Sequence, residues 1–516
     1  MTKDQENQIN AKLSQAFTLQ QSNQLDEAMK LFNEVLSLFP EQADALHGLG
    51  MVYAQRREYA QAVPYLIKAV KQAPLVAEFH NNLGNAYQAT GDVQGALRHY
   101  HEALRLKGSY AQALNNLGTL LYRLGKYDEA ANYFQKSIRI DPQAVDTHYN
   151  LANCYIQLDR LQDALPHYQE VLKLRPDHLG ATHNLGITLC GLKRFSEAEP
   201  LLATMTIKEP NNIDAWFHLG VIYSGLAQAD EAIECYQKVL SLNPNHAHSH
   251  HNLATVFLHR GDKTKALEHY QQAFKLEPSN KTAQHMISAL TNQTLEGGAP
   301  NEYTRALFDQ YAYSYDKQVK DKLKYRVPQL LREAVTPFIV KQPLDILDLG
   351  CGTGLCAPLF ADIVGKMVGV DLSPNMIEVA RSLGGYDKLI VSDILSYLNH
   401  RNNEYDLVIA ADVFVYFGSL QAALQACYFV LTKDGLCCFS IETLTKEECD
   451  KDPLHQDYQL RTTGRYAHNA NYIQAICQQI GFEILYEKSE TIRYQEEIPM
   501  LGNIYVCKAN KSITKH

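Results

Sequence analysis

LDILDLGCGTG, residues Leu344 to Gly354, is the stretch that decides the fold of the second half of this 516-residue chain. An apolar run with strand character ends in Asp348-Leu349, and glycines follow at 350, 352 and 354. Glycine at that spacing removes side chains where a strand turns into a helix, so a ligand can lie against bare backbone. The next strand, Met367-Val368-Gly369-Val370, ends in Asp371 and runs into Leu372-Ser373-Pro374-Asn375-Met376. A carboxylate closing that strand is placed to bind both hydroxyls of a ribose. The dinucleotide-binding fingerprint spaces its glycines differently, as G-x-G-x-x-G.

Outward from this loop, strand and helix patterns alternate as a parallel α/β sheet demands. Strands are expected at Leu344–Asp348, Met367–Asp371, Leu389–Val391, Asp406–Ala410 and Leu436–Ile441. The segments Gly481–Leu485 and Ile504–Cys507 follow as a closing pair. With these residues the chain resembles the class I S-adenosylmethionine-dependent methyltransferases, whose glycine loop reads D-x-G-x-G-x-G. The resemblance implies a Rossmann-like sheet with a terminal antiparallel strand pair. It also implies roles. Gly350, Gly352 and Gly354, with Cys351 between them, would pass the methionine moiety along backbone. Asp348 would reach its amino group, directly or through water, and Asp371 the ribose. Leu372 and Met376 would flank the adenine, and Ser392, Asp393 and Ile394 would lie beside it. For Asp348, Asp371 and Asp393 the plain alternative is an acid capping a helix.

Upstream, Leu-Gly or Leu-Ala recurs every 34 residues, its small residue at Gly50, Gly84, Gly118, Ala152, Gly186, Gly220 and Ala254, with Ala16 in phase before them. Alanine stands 12 residues after each, from Ala28 to Ala266, and proline 12 further on, except at Gly108. Small residues let two antiparallel helices approach, and proline ends the second helix of each unit. The period resembles the tetratricopeptide repeat. Residues 9–292 are therefore expected to form an all-α superhelix of eight repeats plus a capping helix. A linker over 293–302, the methyltransferase-like domain over 303–508 and a tail over 509–516 follow.

Two residues before the small position stand Asn82, Asn116, Asn150, Asn184 and Asn252. A column of amides on a concave surface would clamp an extended peptide, each side chain offering donor and acceptor. It resembles the asparagine ladder of the O-linked N-acetylglucosamine transferases. The alternative is that these amides bond neighbouring helices. His246, His248, His250 and His251 supply too few ligands, with no acid or cysteine near, for a metal site to be expected.

Phe308-Asp309-x-Tyr311-Ala312-x-x-Tyr315-Asp316 is similar to the opening segment of small class I methyltransferases, which folds over the cofactor. Tyr311 and Tyr315 are the expected lid residues, with plain core packing as the alternative. An acceptor hydroxyl or ammonium needs a base. His468, in a loop expected to cross the mouth of the site, and Asp412, after the fourth strand, are the candidates. Helix capping explains His468 equally well.

The net charge of −9 gives no support to a nucleic-acid partner, which needs a concentrated basic face. No apolar run approaches the roughly 20 residues that span a bilayer. Eleven cysteines without a C-x-x-C pair argue against zinc and for a reducing compartment, so a cytoplasmic protein is expected. The whole resembles bacterial methyltransferases fused to tetratricopeptide repeats. That implies S-adenosylmethionine as cofactor and a protein or peptide acceptor recruited by the repeats. A small-molecule or carrier-bound O-methyltransferase, and a non-catalytic scaffold, are the alternatives.

Overall fold

A computed structural model describes residues 3–294, 297–312, 324–399, 401–451, 456–495 and 498–511. They form two compact units, Met1–Leu242 and Asn243–His516.

The first unit is built of helix pairs, and the 34-residue period has a visible cause. Helices Ala77–Thr90 and Val93–Leu106 cross at Gly84, where a Cβ would come within 2.7 Å of the Tyr100 ring. The same clash is set up between Gly118 and Phe134 and between Gly220 and Tyr236. A buried ring therefore sits where the small residue leaves room. Ala96, Ala130 and Ala164 are fully buried on the second helices. Asp92 and Asn212 cap their helices by accepting the N–H three residues on, at 2.8 and 3.0 Å.

In the second unit the last helix pair, Ala247–His259 and Lys263–Leu276, is followed by a cap helix, Lys281–Leu290. A nine-stranded sheet follows: β1 Leu344–Leu349, β2 Val364–Asp371, β3 Lys388–Val391, β4 Tyr405–Ala410, β5 Leu431–Thr443, β6 Tyr458–Leu460, β7 Tyr466–His468, β8 Phe482–Gln495 and β9 Ile498–Ala509. The order β3-β2-β1-β4-β5 is parallel throughout, and β9 pairs antiparallel with both β5 and β8. The expected terminal antiparallel pair is thus present.

Leu347, Leu349, Val368 and Val370 join one buried cluster, while Ile346, Met367, Leu407 and Ile409 join another on the opposite face. Burial on both faces is why these strands read as unbroken apolar runs. Each such side chain contributes roughly 1.5–3 kcal/mol.

One expectation is corrected. Residues 464–468 are not an open loop: Tyr466–His468 forms β7, which runs parallel to the end of β5 and hairpins back to β6. Among the described residues no helix is long and apolar enough to cross a membrane.

Candidate functional site

Strand order reverses between β1 and β4, and ligands of open α/β sheets bind at the carboxyl ends of strands beside such a switch. A cavity of about 370 Å³ lies there. Gly350, Gly352, Asp371, Leu372, Met376, Asp393, Ile394 and Asp412 line it, all of them expected from the sequence.

The glycine loop holds Gly350, Gly352 and Gly354 at φ of +61°, +53° and +95°. A Cβ on Gly350 would strike Val413, whereas one on Gly352 meets nothing within 4 Å and would fill the cavity. Asp371 locks the loop: Oδ2 accepts the Gly352 N–H at 2.9 Å and Oδ1 the Ser373 N–H at 2.8 Å. Burial pushes its carboxyl up to about 6, against the pull of those backbone donors. Ser373 in turn caps the helix Pro374–Leu383, which brings Met376 to the cavity.

Asp348 lies fully buried beneath this loop and not on the cavity wall. Its Oδ2 accepts from the Tyr386 hydroxyl at 2.7 Å. Apart from the weak Cys356 thiol, nothing donates to the buried Oδ1. Burial, with Asp371 nearby, raises this carboxyl to about 7. An unsatisfied carboxylate oxygen below an open glycine cradle fits a ligand that carries a cationic amino group and a ribose.

Cys351, Gly354 and Ser392 do not line the cavity. Burial drives the Cys351 thiol well above its usual range, so it stays protonated. Gly354 faces the Tyr386 ring and Ala380, where its missing side chain permits close packing. Ser392 donates to the Asp393 carbonyl at 3.0 Å. Asp393 accepts the Ser396 N–H at 2.8 Å, so it caps a short helix while also facing the cavity.

His468 is not at the mouth. It is fully buried on β7, and its Nε2 lies 2.9 Å from the Gly418 carbonyl and 3.0 Å from that of Phe417. Two acceptors require the proton on Nε2, and burial lowers the imidazole to about 4. Its donor therefore anchors the turn that carries Phe417. Asp412 does face the cavity, at φ +58°, with its N–H donated to Ser440 Oγ at 2.9 Å. Its carboxylate is engaged by Arg465 at 3.2 Å and by Arg493 at 3.2 and 3.3 Å. Two guanidinium groups thus fix the direction in which this carboxylate points.

The rest of the wall was not expected from the sequence, save Phe308, which opens the segment expected to fold over the cofactor. Gly298, Ala299 and Asn301 come from the expected linker, and Thr304 and Phe308 from the helix Asn301–Tyr311. Ala299 N–H donates to the Tyr416 carbonyl at 2.8 Å, and Gly418 N–H to the Gly297 carbonyl at 2.9 Å. The signal was the double glycine: a Cβ on Gly298 would sit 2.8 Å from the Tyr416 oxygen. Tyr311 ends the helix, which Asp309 ties to Ser373. Tyr315 lies outside the described residues.

A methyltransferase domain model matches residues 347–439, and tetratricopeptide repeat models match 19–86, 75–143 and 211–277. The chain carries tetratricopeptide repeats and a methyltransferase domain. Its relatives include a malonyl-[acyl-carrier protein] O-methyltransferase of Priestia megaterium, 34% identical over 137 residues. That match covers 26% of this chain and 48% of the relative. A protein of the same name from Acetivibrio thermocellus is 27% identical over 168 residues, covering 30% of this chain and 59% of that one. The chain spans about half the length of these curated relatives. Among solved structures it is similar to MamA 41-end from Desulfovibrio magneticus RS-1, 28% identical. The TM-score is 0.32, with 33% of this chain and 96% of that chain covered.

In the repeats the asparagines bridge neighbours. Asn116 Nδ2 donates to Asn81 Oδ1 at 3.0 Å, Asn150 Nδ2 to Asn115 Oδ1 at 3.4 Å, and Asn184 Nδ2 to Asn153 Oδ1 at 3.0 Å. Asn82 Nδ2 donates to His47 Nε2 at 2.9 Å. At least one N–H of each is thus committed to the preceding repeat. Asn252 lies in the helix Ala247–His259, where His246 caps the first turn and His250 pairs with His269 at 2.9 Å. Among the described residues no group of three or more His, Cys, Asp or Glu is placed to hold a metal.

Proposed function

We propose that the chain is an S-adenosylmethionine-dependent methyltransferase whose repeats recruit a protein or peptide acceptor. The observation that carries this is the cavity at the switch point, lined by Asp371 and the open Gly352, with the buried Asp348 close by and its Oδ1 without a strong donor. S-adenosylmethionine, when bound, supplies a methyl group on a sulfonium that already leaves as a neutral thioether. The protein's task is then alignment and exclusion of water. Asp371 retains acceptor capacity for the two ribose hydroxyls beyond its backbone donors. Met376, Leu372 and Ile394 offer an apolar slot for the adenine, with Asp393 at its edge. Phe308 and Thr304 cover the slot from the lid side. Asp412, held by two guanidinium groups, presents a fixed carboxylate where the acceptor enters and orients a donor group there.

In the repeats, the half-buried Asn82, Asn116, Asn150 and Asn184 bond the preceding repeat through Nδ2, which leaves acceptor capacity on their amide oxygens for the N–H groups of an extended peptide. A second reading, methylation of a carrier-bound or small carboxylic acid, is favoured by the two relatives named as acyl-carrier-protein O-methyltransferases.

Calorimetry with S-adenosylmethionine on the full chain tests the cofactor assignment, and absence of heat rejects it. Transfer of labelled methyl in a cell lysate, comparing the full chain with residues 243–516, separates the acceptors. A labelled protein band lost with residues 1–242 supports recruitment. A small labelled product that persists undiminished refutes it.

A further inference from the structure

We propose that the cap helix Lys281–Leu290 is a positioning element of the cavity, acting through the turn Arg461–Arg465 on Asp412. The functional consequence rests on the cavity being the methyl-transfer site; the mechanical link does not.

Three observations make the link. First, the cap grips the turn. His285 is fully buried, and its Nε2–H donates to the Gly464 carbonyl at 3.0 Å. Ala289 packs in one cluster with Leu460 and Tyr466, the residues that flank the turn. Gly464 stands at φ +78°, and a Cβ there would strike Tyr303 and approach the Met286 sulfur at 3.4 Å. The turn therefore has no slack against the cap.

Second, the turn carries Arg465, one of the two arginines that hold the cavity acid, and Arg461, which holds the buried Glu442 beside it. Arg461 N–H donates to the Arg465 carbonyl at 2.8 Å, closing the turn. The Arg461 guanidinium bonds Glu442 Oε2 at 2.8 Å, and that of Arg465 bonds Asp412 Oδ2 at 3.2 Å. Glu442 is fully buried and also pairs with Arg493, which reaches Asp412 as well. In so buried a network, shifting one cation leaves a charge uncompensated, so the members move together.

Third, the segment after the cap reaches the same wall. Thr294 Oγ1 accepts the Leu460 N–H at 3.4 Å, and residues 297–299 pair with 416–418. Whatever displaces the cap is felt at Asp412, Tyr416 and Phe417.

Hydrogen exchange on the full chain reads this directly. His285→Ala should raise exchange over 458–468 and also over 411–418, by about tenfold or more at the latter. His285→Gln, which keeps an N–H donor, should stay near wild type. Thr294→Val is a milder perturbation that should show the same pattern if His285→Ala does not fold. S-adenosylmethionine binding should weaken several-fold in His285→Ala and recover in His285→Gln. Increased exchange confined to 458–468, with 411–418 unchanged in both His285→Ala and Thr294→Val, overturns the proposal. Failure of the wild-type chain to bind S-adenosylmethionine would remove the cofactor assignment instead, while the exchange result still decides the link.

Discussion

The carboxylate of Asp371 clamps the backbone of Gly352, accepting its N–H at 2.9 Å across 19 residues of sequence. Through its second oxygen it also holds Ser373 at 2.8 Å. One side chain thus sets the two loops between which the cavity opens, and any ribose it binds meets a carboxylate already oriented.

Asp371→Asn should keep the fold and lose the site. An amide has only one acceptor oxygen, so it cannot serve both backbone donors and a ribose. S-adenosylmethionine affinity should fall about 100-fold by calorimetry, as for loss of two hydrogen bonds to a charged group. Unchanged affinity would refute the assignment.

Asp348 makes binding pH-dependent. With its carboxyl raised to about 7 by burial, it passes from mostly protonated to mostly ionised between pH 6 and 8. Only the carboxylate attracts a cationic amino group, so affinity should climb about tenfold over that window. Asp348→Asn should flatten the profile; a persisting slope would place the titrating group elsewhere.

Gly350 and Gly352 should respond differently to alanine. Both stand at positive φ, which costs a side chain about 1 kcal/mol. Gly350→Ala additionally drives a methyl into Val413 and should lower the melting temperature more. Gly352→Ala points into open space, so it should lose only the part due to its positive φ yet bind S-adenosylmethionine more than about tenfold weaker. Equal affinity for wild type and Gly352→Ala would mean the cofactor does not lie on the loop.

His468→Ala should act on stability. It removes the donor of the Phe417 and Gly418 carbonyls and leaves a buried hole, at a cost of about 2–4 kcal/mol in denaturant melts. His468→Gln should recover much of this, and turnover should keep the wild-type pH profile. Loss of a pH limb near neutrality in His468→Gln would restore it as a base.

The repeats should weaken in acid. His99 and His167 each face another histidine, Nδ1 to Nδ1 at 3.0 Å, and His269 faces His250 at 2.9 Å. Burial foremost, and the facing imidazole next, lower all three to about 4. Between about pH 6.5 and 4 the unfolded chain then binds more protons than the folded one. Their contribution is complete above pH 6.5 and is lost as the pH falls. Melting temperature should drop by on the order of 5 °C from pH 7 to 5, and less when all three are glutamine. A pH-independent melt would show that His99, His167 and His269 are not lowered by burial.

What the sequence by itself determined was everything written in local period. The 34-residue recurrence marked the helix pairs because each small residue must clear a ring such as Tyr100 or Phe134. The alternation of apolar strands with helices gave β1 to β5 and the closing pair β8–β9. The glycine loop and Asp371 were legible because positive φ and bare backbone admit few residue types. What only the tertiary structure decided were contacts between segments far apart. Gly298 reaches the cavity by pairing with a residue about a hundred positions away, which no spacing encodes. His468 reads as a candidate base from its type and from a loop expected to cross the mouth of the site. Its position on β7, with Nε2 between two carbonyls, follows from a three-residue strand too short to leave a periodic trace. Asp412 likewise reads as a free carboxylate until Arg465 and Arg493, 53 and 81 residues on, are folded onto it. Local sterics are recorded in neighbouring letters, whereas burial and charge pairing arise only when distant segments meet.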